Sequence, residues 1–305
     1  MADTDGRTWR VDLYELHSNI HSHRWDHLRF SLELPREAKG GDSVKVILGR
    51  KQHTGNAKWL EAVRRIEQLV SKEELDNAVA TVVADMKRVT EGKNTAYAWS
   101  GGKDAVVIAD ICQNLGITKS VFVHTELEYP EFLKWCLENL PTGCEVINTG
   151  QDLEWLANHP NMLFPENSTV NSRWFALVQR RGMQKFFLDR GLDIIIAGHR
   201  KADGNYVGKG TNIFTNGAGV TRYSPLADWP HELLLAYIHY NNIPLPPIYD
   251  WKDGYRCGTH PWPARVGMKS IDEGWADVYE IDPSIVEVAA EKIKSAAHFL
   301  KEVRK

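Results

Sequence analysis

Thr95-Ala96-Tyr97-Ala98-Trp99-Ser100-Gly101-Gly102-Lys103-Asp104 passes from an apolar pentapeptide through two glycines to a charged pair, and an amphipathic stretch follows over 104–115. In that stretch Ile108, Ile111, Cys112 and Leu115 recur at helical spacing, so the whole reads as strand, tight turn, helix. Adjacent glycines let backbone N–H groups approach an anion without Cβ interference, and the turn empties into a helix N-terminus whose orphan donors and dipole favour negative charge. Lys103 adds a point charge for a phosphate oxygen. Spacing excludes two common nucleotide motifs here. A Walker A pattern ending at Gly102-Lys103 needs glycine where Tyr97 stands and a hydroxyl where Asp104 stands, and the G-x-G-x-x-G of a dinucleotide turn is missing.

Working outward, buried-type strands are predicted at Ser120–His124, 145–148 and 193–197. Helical periodicity fills the intervals: Phe132, Trp135 and Leu140 after Pro130, then a long run over 172–188. Strands alternating with helices predict an α/β fold with a doubly wound, mostly parallel sheet, in which ligands sit beyond the carboxyl ends of the strands. The glycine turn occupies that end of the first strand. The second strand gives way to a carboxylate-rich loop, so His124, Thr125 and Glu126 join the candidate contacts for a nucleotide; the competing reading of the loop's acids is helix N-terminal charge.

Residues 1–92 have a different texture and form a largely helical N-terminal region. His17, His21, His23 and His27 raise a metal site that no nearby cysteine supports, and Gly40-Gly41 reads as a hinge. Trp59, Leu60, Val63 and Ile66 recur at helical spacing, and Ser71 with Glu74 forms a capping box for a second helix, giving an αα-hairpin. A nucleotide-binding α/β domain spans 93–230, and 231–305 is a helical and loop extension. There a helix starts near Pro230, with Leu233, Leu234 and Ile238 on one face, and a final helix starts near Asp282-Pro283, with Ile285, Val288, Ala289, Ile293 and Ala296 as its stripe.

A formal net charge of −3 gives no global pull toward nucleic acid or anionic membrane, and 43% hydrophobic with 25% charged residues is ordinary for a soluble chain. Cys112, Cys136, Cys144 and Cys257 contain no C-x-x-C pair, and no apolar run of about 18 residues or leader pattern is present. The expectation is a reduced, cytoplasmic protein without membrane attachment.

The Ser100–Asp104 turn resembles the SGGKDS loop of the PP-loop ATP pyrophosphatases, with Ala105 in place of the final serine. Further motifs narrow the likeness to the phosphoadenosine phosphosulfate reductase-like branch. They are Arg173-Trp174; Gly198, Arg200 and Asp203 in a G-x-R-x-x-E-type loop; Pro225-Leu226 with Trp229; Tyr249-Asp250; and Gly254-Tyr255 with Cys257-Gly258. Their shared order covers about residues 94–260. The resemblance implies cleavage of ATP between the α- and β-phosphates with Mg²⁺, adenylylating an acceptor. Ser100, Gly101, Gly102, Lys103, Asp104 and Gly198 would hold the nucleotide, Lys103, Arg173, Arg200 and Asp203 would act at the transferred group, and Asp104 would meet the Mg²⁺. The acceptor could be sulfate or a nucleobase or nucleic-acid group, and a protein partner and a homo-oligomer are left open. Phe175, His260 and Trp262 stand where many members place cysteines, and the C-terminus carries none, so no iron–sulfur cluster is expected. Sulfonucleotide reduction and a non-catalytic nucleotide-binding role are the alternatives.

Overall fold

The computed structural model describes residues 44–165, 168–265 and 270–305. The four N-terminal histidines and Gly40-Gly41 lie outside them. Helices α1 (Asn56–Arg64) and α2 (Ile66–Leu69) are divided at Arg65, where the backbone leaves helical geometry, and lead to α3 (Lys72–Thr90). Ser71 and Glu74 cap α3 reciprocally, satisfying two orphan donors, and Val79, Val82, Met86 and Val89 form its buried stripe.

The sheet alternation then begins with β1 (Thr95–Trp99), α4 (Lys103–Asn114), β2 (Ser120–His124), α5 (Pro130–Glu138), β3 (Cys144–Asn148) and α6 (Leu153–Ala157). Helices α7 (Ser168–Phe175) and α8 (Arg181–Asp189) are joined by a π-helical stretch, Ala176–Arg180, before β4 (Ile194–Ile196). The sheet order is β3-β2-β1-β4-β6-β5, parallel throughout except for β5 (Ile213–Thr215) against β6 (Thr221–Tyr223). Tyr97, Trp99, Phe122, Ile194 and Ile196 enter the main core on one face. Alternate residues Ala96, Val121 and Ile195 pack on Phe186, Phe187 and Leu192 on the other. Period-two burial on both faces is what a doubly wound sheet requires.

After the sheet come α9 (His231–Tyr240), α10 (Gly254–Cys257), α11 (Ile271–Ile281), α12 (Pro283–Ala290) and α13 (Lys294–Val303). The main core is continuous from Leu48 to Leu300, so helices before and after the sheet share its interior. Two readings of the sequence need correction. The stretch after Gly198, read as loop, contains the β5–β6 hairpin, whose three-residue strands are too short to carry a periodic signal. The single C-terminal helix is two, broken at residues 291–293; both place their stripes on one core, with Val286 and Ala289 beside Ala296 and Leu300, so the pattern runs across the break.

Candidate functional site

The glycine turn lies between the carboxyl end of β1 and α4, beside the loop that leaves β4. Gly101 has φ +68°, a left-handed conformation that glycine adopts without penalty, and a Cβ there would stand 2.5 Å from the Cys136 Sγ. A Cβ on Gly198 would stand 2.8 Å from the Asp104 Cβ and 3.1 Å from its carbonyl carbon, so glycine is what lets the β4 loop touch the start of α4. The Lys103 amide donates to the Tyr249 hydroxyl at 2.7 Å. Among the described residues the amides of Gly101, Gly102, Asp104 and Ala105 make no hydrogen bond. Free N–H groups at a helix N-terminus favour an anion.

Behind the turn sits a buried ion cluster. Arg200 is 0% exposed; its Nε donates to Asp104 Oδ1 at 2.6 Å, one Nη lies 3.0 Å from Asp203 Oδ2 and 2.9 Å from His231 Nδ1, and the other donates to the Trp229 carbonyl at 3.2 Å. Lys103 Nζ, itself buried, pairs with Asp104 Oδ2 at 2.6 Å, lies 3.6 Å from Asp203 Oδ1 and stands 5.6 Å over the Trp59 ring. Burial opposes ionisation of Asp104, yet Arg200 and Lys103 outweigh it and hold the carboxyl well below the usual carboxylate range. The cluster ties the start of α4 to the loop after β4.

In front of the turn opens a cleft of about 440 Å³, lined by Ser100, Asp104, Ala105, Gly198, Asp203 and Lys51, with His199, Cys257, Thr259 and His260 completing its wall. That volume suits a small-molecule ligand. The sequence placed the phosphate cation at Lys103; the structure buries that ammonium in the ion cluster and brings Lys51 to the cleft. The Lys51 Nζ lies 2.9 Å from where a Cβ on Gly258 would be, and burial, then Lys103, lowers its pKa. Lys51 was missed because it precedes the α/β domain and belongs to no motif.

Other expected contacts are rearranged. Arg200 does not line the cleft and acts by positioning Asp104 and Asp203. Arg173 lies exposed on α7, outside the cleft wall, while its neighbour Phe175 belongs to that wall. His124, Thr125 and Glu126 also stand outside it. The His124 ring is 2.8 Å from the Thr125 carbonyl, the Thr125 hydroxyl accepts from the Leu127 amide at 3.0 Å, and Asn148 donates to Glu126 at 3.2 Å, so these residues build their own loop and brace it on β3. Each oxygen of Asp104 is paired with a cation, Oδ2 with Lys103 and Oδ1 with Arg200. Among the described residues no group of three or more His, Cys, Asp or Glu side chains could hold a metal. Trp174 packs, donating its indole N–H to the Met162 carbonyl at 2.8 Å, and Trp229 is likewise core.

The phosphoadenosine phosphosulfate reductase domain model matches residues 94–261, more than half of the chain. The chain belongs to this family. Its nucleotide-using role follows from that membership. Similar solved structures include phosphoadenylyl-sulfate reductase from Candida auris in a phosphate complex, 18% identical, covering 59% of this chain and 92% of that one with a TM-score of 0.43. NMN synthetase from Francisella tularensis is 15% identical over 56% of this chain and 71% of its own, TM-score 0.40. A U34-tRNA thiolase from Methanococcus maripaludis with its [4Fe-4S] cluster is 12% identical over 74% of this chain and 80% of its own, TM-score 0.41. No curated protein matches the sequence. Among the described residues no helix is long and apolar enough to cross a membrane.

Within this family member, His231 reports on the cluster. It is buried at 1% exposure, and its Nδ1 accepts from Arg200, so the ring is neutral; burial, then Arg200, pushes its pKa down to about 3. The unfolded chain binds that proton near pH 6.5, so this stabilising term is complete above 6.5 and is lost as the pH falls toward 3. At pH 5 the loss is about 2 kcal/mol. Urea unfolding at pH 7 and pH 5 should show the advantage of the natural protein over His231→Asn shrinking by about that amount; an unchanged difference would mean that His231 is charged in the folded state.

Proposed function

We propose that the chain binds ATP in the cleft and transfers its adenylyl group to an acceptor, releasing pyrophosphate. The observation that carries the reading is the set of unpartnered amides at the start of α4, bordering the same cleft as Lys51. These donors suit phosphate oxygens, and they are fixed before the ligand arrives by the ion cluster behind them, so little reorganisation accompanies binding. In the transfer, an acceptor oxygen forms a bond to the α-phosphorus while the bond from that phosphorus to the α–β bridging oxygen breaks. Pyrophosphate leaves with the electron pair and AMP remains on the acceptor. Preorganised charge on the leaving phosphates and correct placement of the acceptor supply the acceleration.

Thiol chemistry finds less support. The Cys257 thiol is 3% exposed and burial raises its pKa, the reverse of what a nucleophilic thiolate needs. Phe175, where many members carry a cysteine, puts an aromatic ring in the cleft wall. The test is the identity of the products: incubation with ATP and Mg²⁺ should yield AMP and pyrophosphate.

A further inference from the structure

A second cavity of about 520 Å³ opens beside the cleft, and Phe175, Met183, His199 and Asn205 belong to both walls. Its charged residues are Arg180 and Arg222; no carboxylate lines it. Neither Arg222, half-buried, nor Arg180, exposed, has an ion pair among the described residues, whereas the fully buried Arg200 and Arg265 both do. Arg222 stands on β6 opposite Phe214 of β5, with its guanidinium 5.6 Å from that ring; it donates to the Tyr206 carbonyl at 2.9 Å, and its buried Nε has no partner. Arg222 is half-buried, and both its lost solvation and the charge of solvent-exposed Arg180 weigh against its cationic form. An anion between them would relieve both effects.

The local backbone adds to the case. Residues five apart on an α-helix do not share a face, but the π-helical stretch Ala176–Arg180 widens the turn, and the Arg180 guanidinium comes to 5.5 Å over the Phe175 ring. The same widening makes residue 175 a wall of the cleft and residue 180 a wall of the second cavity. His199, on the shared wall, has a buried Nδ1 with no hydrogen-bond partner; burial, then Arg222, lowers its pKa to about 4, so it is neutral at pH 7.

We infer that this cavity is the acceptor site and that Arg180 and Arg222 grip an oxyanion on the acceptor, a phosphorylated or carboxylated small molecule whose nucleophilic end reaches the α-phosphate past His199. The inference rests on the adenylyl-transfer reading, because that reaction needs an acceptor next to the nucleotide. The cavity is larger than an inorganic anion needs, so the oxyanion is one end of a larger substrate.

Inorganic phosphate is the probe, titrated into protein saturated with α,β-methylene-ATP and followed by phosphorus NMR and calorimetry. The natural protein should bind phosphate in the presence of the analogue. Arg180→Gln, at an exposed helical position, and Arg222→Gln should each weaken phosphate at least tenfold while analogue affinity stays within threefold. Phosphate affinity unchanged in both variants would overturn the inference, as would analogue affinity falling with phosphate affinity in Arg180→Gln, since the arginine would then serve the nucleotide. If the natural protein fails to bind the analogue, the nucleotide reading fails by itself. Phosphate binding sensitive to Arg180→Gln in that case would still establish the anion pocket.

Discussion

Arg200→Met should lower folding stability by about 3–5 kcal/mol, the usual result of removing one member of a buried, hydrogen-bonded ion group. The side chain is fully buried and serves two carboxylates, a backbone carbonyl and the neutral His231 ring at once. Methionine fills much of the volume but removes a cation from beside Asp104 and Asp203, both of which also face Lys103. Without that charge the two buried carboxylates are less well compensated. Arg304→Met is the control: its pair with Glu287 at 2.7 Å is more than half exposed on the arginine side, and losing it should cost less than about 1 kcal/mol. Urea unfolding of the two variants checks the contrast. Equal losses would mean that the cluster contributes no more than a surface pair.

Gly101→Ala should weaken ATP binding at least tenfold, about 1.4 kcal/mol. Two effects combine there. The left-handed φ of +68° costs any residue with a Cβ about 1–2 kcal/mol, and the new methyl would lie 2.5 Å from the Cys136 Sγ and 3.3 Å from the Phe132 ring, both buried under the turn. Cys136 is fully buried, so relieving this contact shifts either its thiol or the turn that carries the free amides. Gly92→Ala separates the terms: φ is +67° there but no atom lies within 4 Å of the added Cβ, so it should carry the backbone strain alone and leave ATP affinity unchanged. Calorimetric titration of ATP into both variants reads the difference; matching affinities would mean that the turn does not hold the phosphates.

The strand–turn–helix unit was legible because its signals are local. Glycines mark the turn, and a continuous apolar run gives way to helical spacing across Ser100, so β1 and α4 appear within a residue of their observed limits. The same holds for β2 and for the capping box at Ser71. What the sequence did not give was which cation faces the cleft. Lys103 follows the glycines, but the first turn of α4 directs it into a pocket with Trp59, Asp104 and Asp203, and that pocket exists because α1 and the loop after β4 close over it. Lys51 reaches the cleft through tertiary packing against Gly258, more than 200 residues away in the chain, and no local pattern encodes such a contact. His124, Thr125 and Glu126 read two ways: acids and hydroxyls after a parallel strand suit a ligand, and they suit equally the turn that returns the chain to a helix. The π-helical stretch is silent in sequence because the residues 172–188 keep an unbroken helical pattern across it.

The central claim, that the nucleotide is held at the Ser100–Ala105 turn and opened at its α-phosphorus, is tested most directly by the fate of ATP labelled at the α-phosphate. Incubation with Mg²⁺ and with water, sulfate or a phosphorylated compound as acceptor, followed by chromatographic separation, should place the label in AMP or an AMP adduct, with pyrophosphate released in equal amount. Label recovered in ADP with free phosphate beside it would contradict the account.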